Sequence, residues 1–333
     1  MNKETPIASE DLKIYTLTNK KGTRLKILNL GATIFGLLIK DKNGNELNVV
    51  VGPKNPEDYI STDYQNENRC FGASIGRYAG RISKGEFELE GKKYSLFQIN
   101  GVHLHGGLRG FQHKIWSLET ENKKMNPSIT LGCFSEDLEE GYPGNLKIEV
   151  KYTLSEDDEM QIEYSATTNK KTPVNLTNHT YFNLNGKGSV SDHQLYINAE
   201  NILEVDEKLI PTGKFLPLED HPKNFWEVKE IQQLKVDDTF VLEKDKKNAA
   251  IVYSSQTGIE MQVITNQPAV VVYIPDHLPE LWEYQINISS EFPSICLETQ
   301  NYPDAPNHKN FPSAILHPGE TYLNKSQFLF KIK

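Results

Sequence analysis

Along most of the chain, apolar and polar residues alternate with a period of two, the pattern of strands whose side chains point to opposite faces. The alternation runs through residues 12–18 and 24–38, with a bend or close backbone approach expected at Gly31-Ala32. Asn43-Gly44, between LLIKD and LNVVVG, and Glu90-Gly91, within residues 71–96, each predict a hairpin. Residues 55–59 predict one helical turn. Further strands are expected at 129–134, 147–154, 160–167, 194–199, 241–242, 250–254, 261–265, 295–300 and 327–332, and the unbroken apolar run 270–274 reads as a buried strand. The EEGYPGNL segment and residues 210–213 read as turns, and residues 219–230 as a loop with a short helix.

Many strands joined by Gly, Pro and Asn turns, without a long amphipathic helix or a repeat, predict an all-β fold, a large antiparallel β-sandwich. The length of 333 residues exceeds the usual single core of about 250–300 residues, yet no shift in composition marks a boundary. The expectation is one domain over residues 1–333, built as a wide sandwich.

Residues 174–184, VNLTNHTYFNL, read as one strand on which the rest is organised. Val174, Leu176, Phe182 and Leu184 fall on one face with Asn178 and Thr180 between them; Asn175, Thr177, His179, Tyr181 and Asn183 fall on the other. An ordinary half-buried strand carries charges on its wet face. This one carries amides, a hydroxyl, an imidazole and a phenol, a face suited to hydrogen-bonding and stacking against a neutral, hydroxyl-rich ligand. It is equally consistent with a histidine that fills a sheet surface and bonds a neighbour.

The net charge of −9 argues against a nucleic-acid partner and against an anionic membrane surface. No apolar run approaches the roughly 18–20 residues of a membrane span, and the N-terminal stretch MNKETPIASEDLK has no apolar centre of the kind a signal peptide needs. Cys70, Cys133 and Cys296 are scattered and form no CxxC, which predicts a reduced, cytoplasmic protein without a structural zinc.

Candidate chemistry lies in Arg77 and Arg81, in His103 and His105, in His179, and in Glu298 of SICLETQNYP. A carboxylate in an uncharged, partly apolar strand tends to a raised pKa because burial disfavours its charge. Each also has a plain structural explanation: arginines paired at a sheet edge, histidines beside the Gly106-Gly107 turn, a glutamate on a wet face. His103, His105 and His179 could together bind a metal, but no HExxH or cysteine pair supports it. Phosphate-loop, GxSxG and GxGxxG patterns are absent. The remaining inventory is compatible with cofactor-free proton transfer on a carbohydrate.

Several motifs in order carry a resemblance over nearly the whole chain: LNLGATI, FGASIGRYAGRI, LHGGLRGF, GYPGNL, PVNLTNHTYFNL, VDEKLIPTG, CLETQNYPDAPN and FPSAILHPGE. The chain resembles the aldose 1-epimerases, or galactose mutarotases. The resemblance implies a galactose mutarotase-like supersandwich, no metal, no cofactor, and interconversion of the α and β anomers of free aldoses such as glucose and galactose. It implies Glu298 as the general base that takes the proton of the anomeric hydroxyl, and His179 as the general acid that protonates the ring oxygen. His105 would bond the sugar near the reacting centre, and Arg81, rather than Arg77, would hold hydroxyls. Asp237 would accept from ring hydroxyls, with Asp238 a competitor for that place, and Tyr181 joins them as an expected sugar contact.

The chain departs from the family's wording at Gly80, where Asn is common, at Val271, where a sugar-contacting Gln is common, at Ile274-Pro275-Asp276, at Gln112-His113, and over residues 219–234. These changes predict a retained reaction with a shifted sugar preference, maltose being one alternative substrate. A non-catalytic sugar-binding relative and a hydrolase or lyase of the same fold are rivals; the first needs no acid–base pair and a hydrolase typically needs two carboxylates. The partner expected is a small aldose, and a monomer and a homodimer are both compatible with the sequence.

Overall fold

The computed structural model describes residues 7–243 and 247–333. The first six positions of the stretch read for a signal peptide lie outside the described residues. Two large sheets dominate. The nine-stranded sheet runs, in spatial order, Ser117–Asn122, Ser128–Ser135, Leu146–Leu154, Glu159–Thr168, Tyr322–Ile332, Ile259–Thr265, Ala250–Tyr253, Gln194–Ile197 and Lys229–Glu230. The seven-stranded sheet runs Pro211–Pro217, Ala199–Val205, Val236–Leu242, Ala269–Ile274, Ile295–Gln300, Tyr181–Phe182 and Val50–Val51. Every pairing within them is antiparallel. A four-stranded sheet, Ile14–Thr18 to Glu46–Asn48, contains the Asn43-Gly44 hairpin, and Glu86–Leu89 with Lys92–Ser95 forms the Glu90-Gly91 hairpin.

One continuous core fills the space between the large sheets. Ile148, Val150, Ile162, Met261 and Phe328 enter it from one side, and Val270, Val272, Ile295, Leu297 and Phe240 from the other. Phe182 meets Phe328 across it, ring centroids 5.7 Å apart. Because side chains alternate, the same strands of the seven-stranded sheet present a second set outward: Tyr181, Asp237, Thr239, Val271, Tyr273, Glu298 and Gln300. That outer face is the floor of the site.

Five expectations change. Residues 174–184 are not one strand; they form Thr177–Asn178 and Tyr181–Phe182 with irregular backbone between. The segment changes partners as it goes, pairing Thr177 with Ile75 and then Tyr181 with Cys296 and Val51, so no single ladder can continue through it. Residues 194–199 split at Asn198, where the chain leaves the nine-stranded sheet and enters the seven-stranded one. Residues 211–213 belong to the edge strand Pro211–Pro217 rather than to a turn, and Val236–Leu242 is one strand that includes the acidic pair. No helix forms in residues 219–230, while a short helix, Thr62–Glu67, follows the expected turn, which is Pro56–Ile60.

Candidate active site

Val174, Leu176, Phe182 and Leu184 enter the core as their pattern predicts. The opposite set has a different fate from the one expected. Asn175 donates to the carbonyls of Ala79 and Asn301, Thr177 to that of Thr299, and Asn183 to those of Gly188 and Pro293. These polar groups tie chain segments together, because irregular buried backbone leaves carbonyls that need donors. His179 and Tyr181 are the members of the set that line the cleft.

The cleft holds about 250 Å³ above the outer face of the seven-stranded sheet. Its floor carries Glu298 and Gln300 on one strand, Val271 and Tyr273 on the next, and Thr239 and Asp237 on the third. Loops and the ends of flanking strands supply the walls: Glu67 to Arg69, Gly80-Arg81, Leu104-His105, and Val205, Leu209 and Pro211.

At the centre, His179 Nε2 lies 3.5 Å from Glu298 Oε1, both side chains being buried. His179 Nδ1 and Glu298 Oε2 have no hydrogen-bond partner among the described residues. Buried polar atoms without partners are uncommon and point to a missing ligand or water. Burial pushes the Glu298 carboxyl well above the ordinary carboxylate range; the Asp237 charge adds to this and Arg81 opposes it. Burial pushes His179 down to about 4. The imidazole stacks on Tyr181, centroids 5.0 Å apart at 19°, which fixes its plane. The Tyr181 hydroxyl itself donates to the Arg69 carbonyl at 2.7 Å, so the phenol offers the cleft its ring.

His105 stands edge-on to His179, centroids 5.5 Å apart. The Gly80 N–H donates to His105 Nδ1 at 3.2 Å, an arrangement that leaves the ring proton on Nε2. Burial, reinforced by His179 and Arg81, holds its pKa well below the ordinary value. His105 is thus a neutral donor. It reaches this position because Val102–Leu104 pairs with Arg81–Ser83, and because the next residue is glycine: a Cβ on Gly106, φ +84°, would lie 1.8 Å from the Gly76 carbonyl oxygen.

Arg81 Nη2 stands 3.6 Å from Asp237 Oδ2. Strand alternation separates the two aspartates. Asp237 faces the cleft, whereas Asp238 pairs with Lys223. Burial raises Asp237, with the Arg81 charge opposing. Arg77 serves the fold: it is buried and its guanidinium donates to Ser135 Oγ and to the carbonyls of Ser135, Glu136 and Pro143. His103 is likewise structural, held between the Phe97 carbonyl and the Tyr142 hydroxyl, each at 2.6 Å.

An aldose 1-epimerase family model matches residues 13–329. The galactose mutarotase of Sus scrofa is 38% identical over 322 residues, 93% of this chain and 91% of that protein. The aldose 1-epimerase of Escherichia coli is 33% identical over 351 aligned positions, covering 99% of each. Among solved structures, the aldose epimerase homologue from C. elegans superposes with a TM-score of 0.88 at 26% identity, covering 96% of this chain and 99% of that one. The galactose 1-epimerase from Lactobacillus acidophilus does so with 0.84 at 28% identity, covering 96% and 95%.

The chain belongs to the aldose 1-epimerase family. It is an isomerase, and its fold is that family's antiparallel sandwich. Of the departures from the family's wording, Gly80 and Val271 line the cleft, while residues 274–276, 112–113 and 219–234 do not. The epimerase cleft also contains residues that motif matching passed over. Thr239 and Tyr273 follow from alternation, each two residues from a position already singled out, Asp237 and Val271. Arg69 follows from no pattern; it sits just past the helix Thr62–Glu67, with Nη1 3.4 Å from the Tyr273 hydroxyl.

Proposed function

We propose that this protein opens and recloses the ring of free hexoses, with Glu298 as general base and His179 as general acid. Glu298 takes the proton of the anomeric hydroxyl, C1–O1 becomes a carbonyl as the bond from C1 to the ring oxygen breaks, and the ring oxygen receives the proton of His179. The aldehyde turns about C1–C2, and reclosure with the roles exchanged gives the other anomer. Positioned acid and base groups contribute roughly 10²–10⁴-fold each. The carrying observation is the 3.5 Å approach of His179 to Glu298 with one further atom of each left without a partner.

Arg81, His105 and Asp237 hold the hydroxyls in this reading, and the Tyr181 ring backs the imidazole. Arg69 and Arg81 are balanced by Glu67 and Asp237, which favours a neutral sugar. A cleft of about 250 Å³ suits one hexose ring better than two, since sites for larger ligands run to roughly 300–1,000 Å³. We further propose that the whole chain acts as one catalytic unit, in the cytoplasm, as a monomer or homodimer without a nucleic-acid partner. Three free cysteines and the net charge of −9 support the compartment and the last point. Among the described residues, no helix is long and apolar enough to cross a membrane.

Polarimetry on freshly dissolved α-D-galactose, α-D-glucose and maltose tests this, with wild type, Glu298→Gln and His179→Asn. The wild type should hasten the drift to equilibrium for the hexoses, and each variant should lose most of that gain. A wild type matching buffer on every aldose would leave a sugar-binding protein.

A further inference from the structure

Asp304 is 1% exposed and belongs to the LETQNYPDAPN stretch, beyond the end of the Glu298 strand. A buried carboxylate needs donors to offset its lost hydration. One of them, together with the residue's own N–H, ties it to the Arg81–Ser83 strand. The Asp304 N–H donates to the Arg81 carbonyl at 2.8 Å, and Asp304 Oδ1 accepts from the Ser83 N–H at 3.0 Å. One residue therefore brackets the Arg81–Ser83 strand at both ends. Asn307 Nδ2 donates to the same Oδ1 at 2.6 Å, so the carboxylate is itself held. Asp304 adopts a left-handed φ of +57°, a conformation that non-glycine residues keep only where surroundings demand it.

A second tie flanks the first. The Tyr78 hydroxyl donates to the Tyr302 carbonyl at 2.8 Å and accepts from the Ala305 N–H at 3.1 Å. The chain that leaves Glu298 is thus fastened to the segment on either side of Gly80-Arg81. The Arg81 side chain has looser restraint. It is 24% exposed, and its ion pair with Asp237 is a long 3.6 Å. What sets the guanidinium's place over the floor is the backbone beneath it.

We propose that Asp304 is a positioning residue for Arg81, referencing the sugar-holding arginine to the same stretch of chain that carries the general base. This rests on the role given to Arg81 above. A bracket of this kind sets substrate binding more than proton transfer, because misplacing an anchoring group weakens the hold on ground state and transition state alike.

The test compares wild type, Asp304→Ala and Asp304→Asn by polarimetric kcat and KM for galactose and by amide hydrogen exchange over residues 80–83. Asp304→Asn keeps an oxygen facing the Ser83 N–H. Asp304→Ala should raise KM about 10-fold while kcat falls less than about 3-fold, and should speed exchange at Ser83; Asp304→Asn should restore both to within about 3-fold of wild type. An unchanged KM in a folded Asp304→Ala protein overturns the proposal, as does an asparagine variant as impaired as the alanine one. If Asp304→Ala does not fold, Asp304→Ser, whose hydroxyl falls short of the amide, takes its place in both measurements. If the wild type turns over no aldose, the catalytic reading fails separately, and unchanged exchange at Ser83 in the variant still overturns the bracket.

Discussion

His179 Nε2 and Glu298 Oε1 face each other at 3.5 Å, and burial opposes a charge on either. Below about pH 4 both groups are protonated and no base remains. Above the raised pKa of Glu298 the carboxyl is ionised and the imidazole neutral, and no acid remains. Between these limits the pair carries one proton, which the two shifts place mainly on Glu298; the form with Glu298 ionised and His179 protonated is the minor tautomer of that same one-proton state and rises and falls with it. The expected profile of kcat/KM is therefore a bell, with its acid limb near pH 4, where His179 titrates. Its alkaline limb should lie well above an ordinary glutamate's pKa. Polarimetric rates across the range check this, and a profile flat through pH 4 would remove His179's titration from the reaction.

Val271 lies directly opposite Glu298 in the ladder of the seven-stranded sheet, so the carboxyl has a hydrocarbon neighbour on the floor. Replacing Val271 with Gln would set an amide donor there, and a donor to the carboxylate favours its charged form. The alkaline limb should move to lower pH, and the ratio of galactose to glucose turnover should change by about 3-fold or more, an effect of about 0.7 kcal/mol or more. Val271→Ala, which adds no donor, should leave the limb in place.

Glu140 accepts from the N–H groups of Leu108 and Arg109 at 3.1 and 3.0 Å, closing the loop that follows His105. Hydrogen bonds to a charged group are worth about 1.5–3 kcal/mol each. Glu140→Ala should lower the unfolding free energy by about 1–3 kcal/mol and open residues 106–110 to limited proteolysis. Denaturant titration and timed digestion would measure the two effects.

Gly80 has φ +80°, and a Cβ there would lie 2.9 Å from Pro303 Cγ. Gly80→Ala should cost about 1–3 kcal/mol of stability and raise KM through displacement of Arg81. Thermal unfolding and sugar kinetics on the same preparation would separate the two.

The long strands were legible because their two faces differ. Residues 147–154 and 160–167 alternate cleanly and lie close to the observed Leu146–Leu154 and Glu159–Thr168. Ser117–Asn122 gave no such signal; as an edge strand it is exposed along its whole length and has no apolar face to betray it. The break at Asn198 was hidden for the opposite reason, since buried residues continue on both sides of it, Leu195 and Ile197 before, Ala199, Ile202 and Leu203 after. At the break the Asn198 N–H donates to the Ala249 carbonyl and its side-chain Nδ2 to the Glu243 carbonyl, ties that no local pattern announces. In the site, motif matching separated Arg81 from Arg77, and the structure shows the physical difference, a guanidinium at the cleft against one buried among carbonyls. That Asp237 rather than Asp238 lines the cleft follows once Val236–Leu242 is seen to be a single strand, because parity puts the two on opposite faces.

The strand Tyr322–Ile332 sits in the interior of the nine-stranded sheet, between Glu159–Thr168 and Ile259–Thr265. Without it the sheet divides into two parts, each ending on a strand whose backbone N–H and C=O groups have lost the same partner. Open edges recruit other chains. Assembly of this enzyme is thereby gated by its last described strand, and a chain ending at residue 321 should collect in the insoluble fraction although every cleft residue is present in it.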